Sequence, residues 1–243
     1  MALFTDGTMT SLEDLTAQDS GLLGVVGPEG IDTTKKLILA QEELGVELEA
    51  LLPRAEAGLA QVVVTPALRL WHVFKTLELV YRDAYHSQLN DRYRGKWETY
   101  RDMAKWASER LLDIGIGVAA DPVPRAQMPE LTAAAGTLEE GTYFACAAWV
   151  NGAGEEGAAG PWNSITVSVG GGFVARVSDA PANAAGWNVY AGASAEQMWL
   201  QNEAPLAEGT SWTCTELRSG GRGPGTGQAA SFTRSAPRIL QRG

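Results

Sequence analysis

The chain is poor in the residues that carry most enzyme chemistry. In 243 residues it has two cysteines, Cys146 and Cys214, and two histidines, His72 and His86. Two cysteines exclude a disulfide-built scaffold and a four-cysteine zinc site. The histidines stand on one helical stretch, roughly 21 Å apart along its axis, and cannot share a metal. Each reads as a packed or surface histidine. No apolar run approaches the ~20 residues of a membrane-spanning helix. Met1-Ala2-Leu3-Phe4-Thr5-Asp6 lacks the basic start and apolar core of a signal peptide. The expectation is a protein made and used without export, with reduced thiols. Both cysteines lie in apolar, strand-like surroundings and read as buried structural thiols. Basic residues are also scarce. Lys+Arg number 19 against 29 Asp+Glu, a net charge of -10, which argues against general phosphate binding.

What is present is unevenly spread. Hydrophobic residues make up 45% and charged residues 20%, an ordinary globular balance. Residues 1–128 hold 13 Lys+Arg and 19 Asp+Glu, residues 129–219 hold 2 and 10, and residues 220–243 hold 4 and none. Glycine divides the same way, with 10 before residue 129 and 18 after it. The division predicts a helical domain over 1–128 with a connecting arm, a strand-rich domain over 129–219 and a basic extended tail over 220–243.

The first region has helix signals. Thr10-Ser11-Leu12-Glu13 is a capping-box pattern for a short helix to about Gln18. Asp32 can cap a helix from Thr33 to Leu52, stopped by Pro53, with Leu37, Ala40, Leu44, Leu48 and Leu51 on one stripe. Thr65-Pro66 starts a third helix carrying Leu70, Phe74, Leu77, Tyr81 and Ala84. Asn90 or Asp91 starts a fourth, with Tyr93, Trp97, Tyr100, Ala104, Ala107 and Leu111 in register and Gly115 to end it. The outer face of this last helix alternates in sign through Arg94, Glu98, Arg101, Asp102, Lys105, Glu109 and Arg110. Its spacings allow Glu98–Arg101 and Lys105–Glu109 pairs. It reads either as a solvated face or as a face that sets register against a neighbouring copy. The antiparallel bundle is followed by an extended, proline-broken arm over Val118–Pro124.

From Glu130 the period shortens toward two. Thr142–Val150, Trp162–Val169, Phe173–Val177, Gly186–Ala191, Met198–Asn202 and Ser211–Thr215 read as short strands separated by turns such as Asn151-Gly152, which predicts a β-sandwich. Trp162 and Trp199, flanked by turn residues, are the expected exposed aromatics and a possible ligand or fibre edge.

Catalytic patterns are thin. Glu42-Glu43, Glu139-Glu140 and Glu155-Glu156 are sequence neighbours, not carboxyls facing each other across a cleft. Gly192-Ala193-Ser194-Ala195-Glu196 lacks the second glycine of a nucleophile elbow, and the β half contains no histidine. Gly221–Gly227 is glycine-rich but has no Lys-Ser/Thr end and reads as a linker rather than a phosphate loop. No enzyme activity, cofactor or metal is expected.

Two resemblances add to this. Leu138-Glu139-Glu140-Gly141-Thr142-Tyr143-Phe144-Ala145, followed by Val150-Asn151-Gly152-Ala153-Gly154-Glu155, resembles fibronectin type III and immunoglobulin-like modules, as does Gly186-Trp187-Asn188-Val189-Tyr190-Ala191-Gly192. Ala191 stands where those modules have arginine, and the two pieces come in the reverse of the usual order. The likeness covers about residues 130–217. It implies that Tyr143 or its neighbour ties a loop to the sheet. The helical half is similar to the head-to-tail adaptors of tailed bacteriophages. The residues that carry this are Leu12-Glu13-Asp14-Leu15, Leu37–Gly45, Tyr93-Arg94-Gly95-Lys96-Trp97, Trp106-Ala107 and Asp121-Pro122-Val123-Pro124.

The adaptor likeness implies a virion protein of the phage neck, assembled in the host cytoplasm. It implies a ring of twelve copies, the portal ring above, a tail or nozzle protein below, and DNA passing through without sequence-specific binding. A tail fibre is a further expected partner of the β domain. The basic tail, with Arg222, Arg234, Arg238, Ile239, Leu240 and Arg242, becomes the expected portal contact. Because the β domain lies between bundle and tail, it would have to be an insertion whose ends return to the ring. The competing reading is an oligomeric binding module whose sandwich recognises a carbohydrate, a fibre or a host surface. The expected fold class is α+β with two domains: a helical bundle and an immunoglobulin-like sandwich.

Overall fold

A computed structural model of the protein describes residues 2–52, 58–88 and 91–235. The expected helix stop at Pro53, the alternative start at Asn90, and Arg238, Ile239, Leu240 and Arg242 lie outside the described residues. The chain is α+β and forms two compact units. One joins residues 7–120 to 230–235; the other joins residues 2–6 to 121–229.

The first unit is helical. Its elements are α1 (Leu12–Gln18), α2 (Leu23–Val26), α3 (Thr33–Leu51), α4 (Pro66–Gln88) and α5 (Arg94–Ile114). Local chemistry sets their starts. Ser11, not Thr10, caps α1: its Oγ accepts from Asp14 N–H, and the Asp14 carboxylate accepts from Ser11 N–H at 2.8 Å. Thr10 is spent elsewhere, buried with its hydroxyl 2.7 Å from His72 Nδ1. Asp32 caps α3 by accepting from Lys35 N–H. Leu37, Ala40, Leu44 and Leu48 are buried as the stripe predicts, and Leu51 is half-buried.

The third helix differs from its single predicted stripe. On α4, Leu68, Trp71, Val73, Phe74, Leu77, Leu79, Val80, Tyr81 and Ala84 are all buried, while Leu70 is only half-buried. A helix apolar on most sides is a central one. The fourth helix begins with a 3₁₀ turn over Asp91–Tyr93 and buries Tyr93, Tyr100, Ala104, Ala107 and Leu111. Trp97 is half-buried, stacked on Tyr85 at 5.5 Å. Gly115 ends the helix with φ 98°, where a Cβ would stand 2.9 Å from the Arg234 carbonyl oxygen. That close approach requires glycine.

The bundle is completed by a pairing between distant segments. β1 (Ile116–Val118) runs antiparallel to β9 (Phe232–Arg234), and Val62 bridges Val118 on the other side. Ala120 N–H donates to Ser231 Oγ at 3.0 Å, and Ser231 N–H donates to Val118 O at 2.9 Å. The chain therefore leaves this unit after residue 120 and re-enters it at residue 230. This corrects the expected tail over 220–243: its described part is structured, and residues 230–235 belong with the helices.

The second unit holds β2 (Glu130–Leu138), β3 (Gly141–Asn151), β4 (Asn163–Val167), β5 (Gly171–Arg176), β6 (Ala184–Gly192), β7 (Trp199–Leu200) and β8 (Trp212–Cys214). They form a three-stranded sheet ordered β2-β5-β8 and a four-stranded sheet ordered β4-β3-β6-β7, both antiparallel. Alternation puts Ala145, Ala147, Trp149, Trp187, Val189 and Ala191 of the larger sheet inward. Phe173, Ala175 and Cys214 of the smaller sheet pack into the same two apolar clusters. Val123 and Ala126 fill one of these clusters beside Trp149 and Trp187. The Val118–Pro124 arm is thus divided between β1 and the sandwich core. The boundaries fall at 6/7, 120/121 and 229/230 rather than at 128/129 and 219/220. Tyr143 donates from its hydroxyl to the Glu139 carbonyl at 2.9 Å, tying the turn before β3 to its strand.

Candidate interaction surfaces

The outer face of α5 is exposed at Arg94, Arg101, Asp102, Lys105 and Glu109 and half-buried at Glu98. Its pairing differs from the expected one. Arg94 bonds Glu98 at 3.0 Å, Arg101 bonds the adjacent Asp102 at 3.0 Å, and Arg110 bonds Asp113 at 3.0 Å. Glu98 is engaged by Arg94, which leaves Arg101 to Asp102, and Lys105 and Glu109 make no pair with each other. Arg101 and Lys105 also border a cavity of about 320 Å³, lined further by Glu47, Trp71, Lys75, Glu78, Ala104 and Ser108. Lys75 bridges Glu43 at 2.9 Å and Glu78 at 3.1 Å. Partial desolvation raises the Glu47 carboxyl, with Glu43 and Glu78 adding to the rise and Lys75 opposing it. The cavity carries both signs and selects no ligand charge.

Two polar centres hold the helical unit; the one at Asp19 escaped the sequence reading, and the one at His72 was foreseen only as a packed or surface histidine. Asp19, buried, accepts Tyr81 OH at 2.5 Å, Tyr100 OH at 3.1 Å and Gly21 N–H at 3.1 Å. Lys96 Nζ reaches its two oxygens at 2.8 and 2.6 Å. Burial alone would raise this carboxyl, but Lys96 and the tyrosines outweigh it and hold the group below the usual carboxylate value. Burial and the same carboxylate push both tyrosines up. His72 is fully buried between Thr10 and the Leu37 carbonyl, 3.0 Å from Nε2. A carbonyl only accepts, so Nε2 carries the proton and Nδ1 accepts from Thr10. Burial lowers its basicity. His86 is exposed against Tyr85 and Trp97.

In the β unit, Arg222 is not a free tail residue. Its guanidinium bonds Glu156 at 2.7 Å and lies 5.7 Å from the Tyr190 ring centre. Glu156 also accepts Tyr190 OH at 2.8 Å and the Asn188 amide. Gln228, buried, donates to Asp121 O at 3.2 Å and accepts from Val123 N–H, so both ends of the inserted segment are knotted together. Arg234 stands in β9, half-buried beside the Phe232 ring. The Gly-rich run around Arg222 was the available signal, because glycines permit close backbone approach. Its partner, Glu156, was legible only as half of an adjacent acidic pair.

Trp162 and Trp199 do not form one edge. Trp162 precedes β4, is 49% exposed, and sets its ring 5.2 Å from Phe144. Trp199 is on β7, at the opposite edge, half-buried and opposite the inward-facing Ala191. They lie on opposite edges and opposite faces. Cys146 and Cys214 are buried, free and in separate clusters. Burial pushes the Cys146 thiol up to about 12, with Glu156 adding to it, and the Cys214 thiol up to about 11.

No grouping of three or more metal-binding side chains occurs among the described residues, and none of their helices is long and apolar enough to cross a membrane. Neither models of known protein families nor characterised protein sequences match the chain.

Proposed function

We propose that the protein is a structural assembly component, a head-to-tail adaptor of a tailed phage neck that works by shape and carries its β unit as an appendage. One observation supports this best: residues 121–229 are inserted between β1 and β9 of the helical unit. A large module can thus be carried without interrupting the bundle. The proposed partners are further copies in a ring, a portal ring and a tail protein, with DNA passing through. Arg222 is engaged by Glu156, so the proposed portal contact moves to the chain beyond Ser235, with Arg238, Ile239, Leu240 and Arg242. The alternating face of α5 is the proposed contact between copies. Electron microscopy of the chain mixed with portal rings tests the reading. Added density at one pole of the ring supports it; bare rings at saturating protein refute it.

A second reading is favoured by the half-exposed Trp162 ring braced on Phe144, a geometry suited to stacking on a sugar. A glycan array with the full chain and with Trp162→Ala separates the two. Glycan binding lost in the variant would move the function to the β unit.

A further inference from the structure

The outer face of the four-stranded sheet carries its own small apolar cluster of Cys146, Ala148, Tyr190 and Met198. Its flanks are β7 on one side and, on the other, residues 156–160, which pair with β3 through Gly157 N–H to Trp149 O at 2.9 Å and Gly160 N–H to Ala147 O at 2.8 Å. The segment 222–226 joins these flanks. Leu200 N–H donates to Arg222 O at 2.9 Å, and Ala159 N–H donates to Gly225 O at 3.3 Å. Five residues reach at most ~17 Å, less than the width of a flat sheet with both edges extended. The edges therefore curl toward each other, and the segment closes the concavity over the cluster.

This segment covers the cluster without a buried residue of its own: none of residues 222–227 is buried, whereas the next residue, Gln228, is. Backbone hydrogen bonds and one charged contact, Arg222 to Glu156, do the fastening. A Cβ at Gly225 would stand 3.2 Å from Glu156 Oε1, a tight approach, whereas at Gly223 it would make only ordinary contact with Met198 O at 3.7 Å. Segments with little buried side chain open at low cost. We infer that residues 222–226 are a displaceable strap, latched by Arg222 on Glu156, that controls access to the apolar concavity around Cys146. Opening it uncovers the cluster beside the half-buried Phe144 and the exposed Trp162, while the inter-sheet core, which holds Cys214, stays closed.

The two thiols make the test internal. In the full chain under native conditions, N-ethylmaleimide labelling is followed by peptide mass for each cysteine. The expected result is faster labelling of Cys146 than of Cys214. Arg222→Ala should raise the Cys146 rate up to about fivefold, the scale of one half-exposed ion pair, and leave the Cys214 rate unchanged. The Arg222 side chain is 53% exposed. Molar salt should therefore also speed Cys146 in the unmodified chain, a readout that needs no variant. Arg222→Lys should fall between the two. Equal rates for both cysteines, or equal acceleration of both in Arg222→Ala, would mean that the strap opens only with the whole unit and would overturn the inference. An unchanged Cys146 rate in both Arg222→Ala and high salt would overturn it too.

Discussion

Asp19→Asn probes the centre on which the helical unit turns. The amide oxygen can take the place of the carboxylate oxygen that accepts Tyr81 and Tyr100. The amide NH₂ then falls where Gly21 N–H and Lys96 now donate. One partly buried backbone donor, on the exposed Gly21, loses its acceptor, which costs about 1 kcal/mol. The ion pair is also lost, but Lys96 is 48% exposed and can turn to water, so that part is about 1 kcal/mol or less. The expected loss is about 1–2 kcal/mol. In urea, with a typical slope, the helical circular-dichroism transition should move down by about 0.5–1 M. Lys96→Met, which keeps Asp19 bonded to both tyrosines, should cost less. The parent should also lose stability as pH falls below the unfolded Asp value near 4, toward the lower folded value, and the variant should lose less over that range. A midpoint shift under 0.3 M, or a larger loss in Lys96→Met, would refute the reasoning.

Other consequences follow from single contacts. His72 is held neutral by burial, so the unfolded chain binds the extra proton first; stability should fall as pH drops below about 6.5, and His72→Gln should flatten that slope in thermal melts between pH 5 and 7. Gly115→Ala places a Cβ against the Arg234 carbonyl at a positive φ and should destabilise the helical unit by about 2–3 kcal/mol in urea melts, more than Gly95→Ala, whose Cβ meets nothing. Above pH 10 the chain should lose stability as unfolded tyrosines ionise while Tyr81, Tyr100 and Tyr190 remain protonated in the fold; a stability profile flat to pH 11 would contradict the assigned hydrogen bonds.

The helices were legible because their signals are local. Asp32, Thr65 and Gly115 mark ends by chemistry that acts within one turn, and the stripes on α3 and α5 repeat within a few residues. The β half was legible as alternation, whereas the tie from Tyr143 back to Glu139 was expected, for Tyr143 or its neighbour, only from the resemblance to immunoglobulin-like modules. What failed was long-range. β1 and β9 are three residues each and lie more than a hundred positions apart, so neither has a periodicity to read. Without that pairing, 230–235 looked like tail and Val118–Pro124 like linker. Arg222 looked free for the same reason, since its partner Glu156 lies 66 positions away. Trp162 and Trp199 share turn-like surroundings, but strand order and register, which composition does not encode, put them on opposite sides.

β1 and β9 close the helical unit, and residues 121–229 run between them in the chain. Residues 121–229 can be deleted and Ala120 joined to Ala230 through a short Asn-Gly turn, which suits two antiparallel strands. Hydrogen-exchange NMR of this variant should show protected amides at Ile116–Val118 and Phe232–Arg234 and a cooperative helical core. Unprotected amides in both segments, or a non-cooperative melt, would mean that the β unit is needed to hold the bundle together.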